Sequence, residues 1–236
     1  MSVGLCLMTA IHAAVCAALP PEPGPGITQV SITEPASSVS VPVGGTLGFS
    51  CSTVTDWDIL KCDDGTDHPV LDTITYIWTG GSFTPSTGQH VTWTAPAAPG
   101  NVQIYVRADD SPIAEDSYTA ATITIPVVNV ADVLYEDPVL GYVPVVGTLY
   151  VMKGTTVKFK AIKNPAEAAW PNGKPVWGGT AWAHGTDETT SVTFTSVGDK
   201  TVTVECGNIF PVNVKVYELI GVHGASSPLK KSVFRG

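Results

Sequence analysis

YIWTGG, Tyr76 to Gly81, and its counterpart PVWGGT, Pro175 to Thr180, decide the fold. Each carries a tryptophan in an apolar run that glycines break within three residues. Ahead of the first tryptophan, Ile74, Tyr76 and Trp78 share one side of a two-residue period, the pattern of a half-buried strand. Working outward, the same period recurs in Leu47, Phe49 and Cys51, in Val91 and Trp93, in Ile104, Val106 and Ala108, and in Ile123, Ile125 and Val127. The second half replays it in Val157, Phe159 and Ala161, then Val176 and Trp177, Val192 and Phe194, Val202, Val204 and Cys206, and Val212, Val214 and Val216. Gly (23) and Pro (19) are plentiful and charged residues make up only 14% of the chain, which suits short strands joined by turns rather than amphipathic helices. The chain reads as all-β.

Three matches in the same order make it an internal repeat: GGTLGFSC (Gly44 to Cys51) with GTTVKFKA (Gly154 to Ala161), the two tryptophan segments, and PGNVQIYVRA (Pro99 to Ala108) with VGDKTVTVEC (Val197 to Cys206). Their separations run from 98 to 110 residues, the length of one sandwich domain. The expected organisation is an export signal over residues 1–18, a Pro/Gly spacer over 19–26, a first sandwich over 27–130, a second over 131–218 and a flexible tail over 219–236. The signal reading rests on Met1 to Ala18, which lacks Asp, Glu, Lys and Arg and ends on small residues. No later run approaches the ~20 apolar residues that span a bilayer. With 21 acidic against 12 basic residues the net charge is −9, which repels phosphate backbones and anionic lipids, so nucleic acid is not an expected partner.

On Trp78-Thr79-Gly80-Gly81, Trp177-Gly178-Gly179 and the glycine-initiated late strands, the stretch from about residue 27 to 218 resembles the bacterial immunoglobulin-like and PKD-type modules of secreted and cell-surface proteins. The resemblance implies two tandem immunoglobulin-like β-sandwich domains. It also implies a context of spacing, display, adhesion or matrix building, and no reaction.

Without the signal, three cysteines remain, Cys51, Cys62 and Cys206. The immunoglobulin pattern bridges its second and sixth strands. Here each repeat holds half of that pair, because Cys51 matches Ala161 and Cys206 matches Ala108. A bridge between Cys51 and Cys62 is the expected disulfide, worth ~2 to 3 kcal/mol as a restraint on the intervening loop; two separate thiols are the alternative. Cys206 reads as a buried apolar thiol.

Candidate sites are few. Asp56, Asp58, Asp63, Asp64 and Asp67 crowd the insertion DWDILKCDDGTDH, and Asp109, Asp110, Glu115 and Asp116 follow a strand. Either group offers hard oxygen ligands suited to Ca²⁺, against the plainer reading of a solvated acidic loop. Trp170 and Trp182 could stack on sugar rings with Asn172, His184 and Asp187 as hydrogen-bonding neighbours, whereas Trp177 belongs to a strand core. Catalytic motifs are missing: the sequence has no Gly-x-Ser-x-Gly, His-Glu-x-x-His, phosphate-binding loop or Cys-x-x-Cys, and His12, His68, His90, His184 and His223 are scattered singly. No resident cofactor is expected. The function expected from this pattern is a non-catalytic structural or adhesive module, secreted or at the cell surface, with a protein or polysaccharide partner. A carbohydrate-binding accessory protein and a secreted hydrolase are the alternatives.

Overall fold

The computed structural model describes residues 16–17, 27, 29–54, 57–62, 67–71, 73–111, 120–181 and 183–219. The expected spacer, most of the expected signal and the tail beyond residue 219 lie outside them. The described residues form strands, turns and loops, with no helix long and apolar enough to cross a membrane. The chain divides into two compact units, Met1–Asn129 with Asn164–Asn172, and Val130–Lys163 with Gly173–Gly236.

Unit 1 contains β1 (Cys16–Ala17), β2 (Gln29–Glu34), β3 (Val41–Pro42), β4 (Thr46–Val54), β5 (Trp57–Cys62), β6 (Asp67–Leu71), β7 (Thr73–Thr79), β8 (Ser82–Thr84), β9 (His90–Thr94), β10 (Gly100–Ser111) and the first part of β11 (Ala120–Asp137). One sheet runs β2-β4-β9-β8. The other places β10 between β7 and β11, with β3 added parallel to β11 at Val41 and Val127. Alternation along each strand turns Phe49, Cys51, Val91 and Trp93 from the first sheet and Trp78, Ile104, Val106 and Ile125 from the second into one core. Phe49 is its hub, with ring centroids 5.5 Å from Trp78 and 6.3 Å from Trp93, the latter edge-on at 86°. Such tilted and edge contacts suit the aromatic quadrupole.

Unit 2 repeats the plan with the second part of β11 and with β12 (Gly141–Pro144), β13 (Thr148–Met152), β14 (Thr156–Asn164), β15 (Val176–Gly179), β16 (Thr189–Thr193), β17 (Gly198–Cys206) and β18 (Asn208–Tyr217). β14 lies between β11 and β16, and the second sheet runs β13-β18-β17-β15, with β13 parallel to β18 as β3 is to β11. Val157, Phe159, Trp177, Val192, Val202, Val204, Val212, Val214 and Val216 are buried, while Val176 faces outward as the two-residue period demands. The Asn208 side-chain amide ties the β17–β18 turn to the start of the unit: its Nδ2 donates to the Val130 carbonyl, and its Oδ1 accepts from the Val130 N–H, both at 3.0 Å. Two antiparallel sheets in this order, with a first strand that switches to a parallel edge, make each unit an immunoglobulin-like sandwich.

The repeat extends to single bonds. Trp78 donates its indole N–H to the Gly88 carbonyl at 2.8 Å, and Trp177 does the same to the Asp187 carbonyl at 2.8 Å, each partner lying ten residues on. Gly80 and Gly179 sit at φ +107 and +106; a Cβ at either would stand 2.2 Å from a backbone oxygen, of Gln103 and of Thr201 respectively. Glycine is required there for both conformation and space.

The insertion Asp56 to His68 is not simply a loop: it contains β5, which pairs antiparallel with β6 from Asp67 to Leu71, and Cys16 of β1 stands opposite Cys62.

Trp78→Ala and Trp177→Ala should each lower stability by about 3 to 5 kcal/mol, read from urea unfolding. Gly179→Ala should be the more damaging of two adjacent glycine changes, by at least about 2 kcal/mol over Gly178→Ala, because Gly178 has ordinary backbone and faces only the Thr203 hydroxyl at 3.1 Å. Equal effects of the two glycine changes would overturn the requirement for glycine at position 179.

Candidate functional site

Few of the sequence candidates fall among residues whose side chains are described. Asp56, Asp63, Asp64, Glu115, Asp116 and Trp182 lie outside the described residues, and of Asp58, Asp67 and Asp110 only the backbone is described. Asp109 is paired with Arg107 at 3.2 Å. Among the described residues no group of three or more His, Cys, Asp and Glu stands together as a metal site. Trp177 is in the core, 3% exposed. Trp170 is half-buried in the segment Asn164–Asn172 that belongs to unit 1, while Asp187 and His184 are exposed in unit 2.

The Cys51–Cys62 bridge expected from the sequence is corrected by the structure. Cys51 carries an unbridged thiol, 1% exposed, directed into the unit 1 core with its Sγ 3.6 Å from the Gln89 carbonyl. Its strand packs in the main sandwich, whereas Cys62 lies in the separate β1-β5-β6 sheet. Loop length alone could not reveal that difference. Cys206 is buried, as its alternation with Val202 and Val204 predicts.

The structure does assemble one polar site, on the outward face of the β2-β4-β9-β8 sheet. Glu34, Ser50 and His90 form a row across three neighbouring strands, with Glu34 opposite Ser50 and Ser50 opposite His90. Strict alternation would set Thr33 opposite Ser50. A bulge between Ile32 and Glu34 inserts one residue and brings Glu34 there instead, which is the usual way a bulge re-aims a side chain. The Ser50 Oγ lies 2.9 Å from Glu34 Oε2 and 2.9 Å from His90 Nδ1, and Ser50 is only 8% exposed although it points away from the core. These residues line a groove of about 290 Å³ with Gly48, Thr84, Pro85 and Thr92.

The hydrogen-bond directions follow from what each group can donate. A carboxylate only accepts, so the single Ser50 proton goes to Glu34. Ser50 Oγ then accepts from a proton on His90 Nδ1. In this arrangement a neutral ring leaves Nε2 as an acceptor, and Glu34 keeps Oε1 as another. This order, carboxylate to serine to histidine, differs from a nucleophilic triad, in which histidine stands between the other two and takes the serine proton.

Sequence reasoning missed the site. Period two does put Ser50 and His90 outward, but the bulge that recruits Glu34 breaks the alternation, and strand pairing cannot be read from one chain.

No protein-family model matches the chain, and no curated protein matches it in sequence. Among solved structures it is similar to the three N-terminal domains of the Highly Immunogenic Outer Capsid protein of bacteriophage RB49, at 12% identity over 81% of this chain and 70% of that one, TM-score 0.37. It is similar also to a C-terminal fragment of intimin in complex with the intimin-binding domain of its translocated receptor (18%, 79% and 63%, TM-score 0.37). Domains 4 and 5 of the S-layer protein SbsC are a third (14%, 81% and 98%, TM-score 0.28). Strand order and register, not these likenesses, define the chain as a tandem immunoglobulin-like sandwich protein.

Burial pushes the Cys51 thiol up to about 11 and the Cys206 thiol up to about 11, where Lys174 opposes and Glu205 reinforces the effect. At pH 8 only about a thousandth of either would be thiolate, against roughly a quarter for an ordinary cysteine. Alkylation of the native protein at pH 8, followed by peptide mapping, should leave both unmodified until denaturant is added. A mapped peptide joining Cys51 to Cys62 would contradict the structure.

Proposed function

We propose that the chain is a non-catalytic structural and adhesive module, secreted or displayed at a cell surface, allied to the bacterial immunoglobulin-like and PKD-type repeats. The observation that carries this reading is the pairing of identical framework devices with unlike faces. The tryptophan-to-carbonyl bond and the positive-φ glycine that follows it recur in both units, while Ser50 opposite His90 in unit 1 is replaced by Lys160 opposite Thr189 in unit 2. A scaffold repeated for its stability, with surfaces free to diverge, is how serial display modules are built. The outward strand positions support it, being largely Thr and Ser around Thr46, Ser52, Thr92 and Thr94. The partner is a protein or polysaccharide presented at a surface.

The carbohydrate-binding alternative rested on Trp170 and Trp182, and no geometry in the described residues supports a two-ring platform. The hydrolase alternative rested on acid clusters whose side chains are largely outside the description.

Single sandwich faces offer limited contact, so one copy should bind weakly and many copies strongly. Retention on cells, matrix polysaccharide or neighbouring surface proteins should rise at least about 100-fold when the protein is multimerised on beads. Turnover of any substrate in a hydrolase panel by the purified chain would refute the non-catalytic reading.

A further inference from the structure

The groove of unit 1 has a feature that the fold does not demand. Gly48 lies in the central strand β4 between Thr46 and Ser50, opposite Thr92, with ordinary strand backbone, and a Cβ placed on it would meet nothing within 4 Å. Neither a left-handed φ nor close packing requires glycine here, and glycine weakens a strand interior. What its missing side chain provides is room: it opens the outward face beside the Glu34–Ser50–His90 row. A strand glycine without a packing reason marks a place where something else approaches the backbone.

The chemistry of the row says what approaches. Ser50 spends its proton on Glu34, and His90 spends its Nδ1 proton on Ser50, so Glu34 Oε1 is left to a visitor as an acceptor, joined by His90 Nε2 when the ring is neutral. The hydroxyls of Thr84 and Thr92 complete the lining and can accept as well. Glu34 brings a negative charge, no lysine or arginine lines the groove, and the chain carries −9 overall. A site of acceptors with one carboxylate discriminates in favour of a multivalent cationic donor and against anions and pure acceptors. We propose that this groove binds a primary ammonium or guanidinium group, of the kind carried by a lysine or arginine side chain. The Glu34 carboxylate holds such a head through charge-assisted hydrogen bonds, and the volume of about 290 Å³ suits a side-chain head rather than a larger ligand. The site deepens the proposed adhesive function but does not rest on it, since a small cation would bind whatever the context of the chain.

The titratable groups of the groove are Glu34 on β2 and His90 on β9; β4 and β8 contribute only Gly, Phe, Ser and Thr.

The test is to titrate the full chain with ethylguanidinium and with n-butylammonium at pH 8, following the His90 ring nitrogens by NMR. Before ligand, the ring should carry a proton on Nδ1. Ligand should give a saturable shift of the ring signals, weakened at least about tenfold by Glu34→Gln. Gly48→Val fills the notch while leaving every polar group in place and should abolish binding with stability equal to or above that of the parent. Sedimentation of the protein at rising concentration, with and without ethylguanidinium, separates a cationic group from a second copy, whose association the small cation suppresses, from one supplied in free form. A ring without a proton on Nδ1, or an unchanged titration in folded Glu34→Gln or Gly48→Val, would overturn the proposal. Failure of these with avid binding of multimers retained would remove the groove and leave the adhesive reading standing.

Discussion

The indole-to-carbonyl bond of each strand tryptophan is the constraint on which both sandwiches depend. A buried Trp78 needs a partner for its N–H, and the Gly88 carbonyl supplies it, so the chain after β7 must return across the ring before β9 can begin. That return places Gly88 to donate to the Tyr76 carbonyl at 3.2 Å and Gln89 to accept from the Cys51 N–H at 3.1 Å. β9 is thereby locked to β4 in one register, with Phe49 opposite Val91 and Ser50 opposite His90. In unit 2 the corresponding chain return gives the Asp187 carbonyl to Trp177, the Glu188 carbonyl to Ala161, and sets Lys160 opposite Thr189. One interior bond thus decides which residues meet on the outside.

Much of this framework is legible in the sequence because burial imposes a period. Leu47, Phe49 and Cys51, or Val202, Val204 and Cys206, announce their faces without any knowledge of partners, since each strand presents alternate residues to one core. The tryptophan-glycine segments are legible for a different reason: two copies of the same steric requirement leave two copies of the same residues. What escapes is whatever depends on pairing across strands. The Cys51–Cys62 bridge fails because sequence proximity does not place Cys62 in the sheet that holds Cys51. The Glu34–Ser50–His90 row escapes because its carboxylate arrives through a bulge, an extra residue that no alternation predicts.

Comparing the repeats separates what the fold requires from what it permits. Gly80 and Gly179 answer to the same carbonyl approach and are fixed by it. Gly48 answers to nothing in its own unit, and its counterpart in the aligned strand is Lys158, whose pKa is raised chiefly by its contact with Tyr142. Equivalent faces therefore carry opposite chemistries: acceptors and a notch on one, lysines around an aromatic ring, 5.7 and 5.8 Å from its centroid, on the other. Neither face can be attributed to the stability of the shared scaffold, because each unit folds with the residues that the other lacks.

The size of the groove also bears on how such a protein would act. One ammonium or guanidinium head held by the Glu34 carboxylate gains a few charge-assisted hydrogen bonds and buries little apolar area, while association must still offset the lost freedom of the partner. An open site of about 290 Å³ on a sandwich face is therefore suited to brief contacts. In the proposed role strength would come from many copies, and the fold contributes a groove whose polar groups are set by strand register before anything enters it.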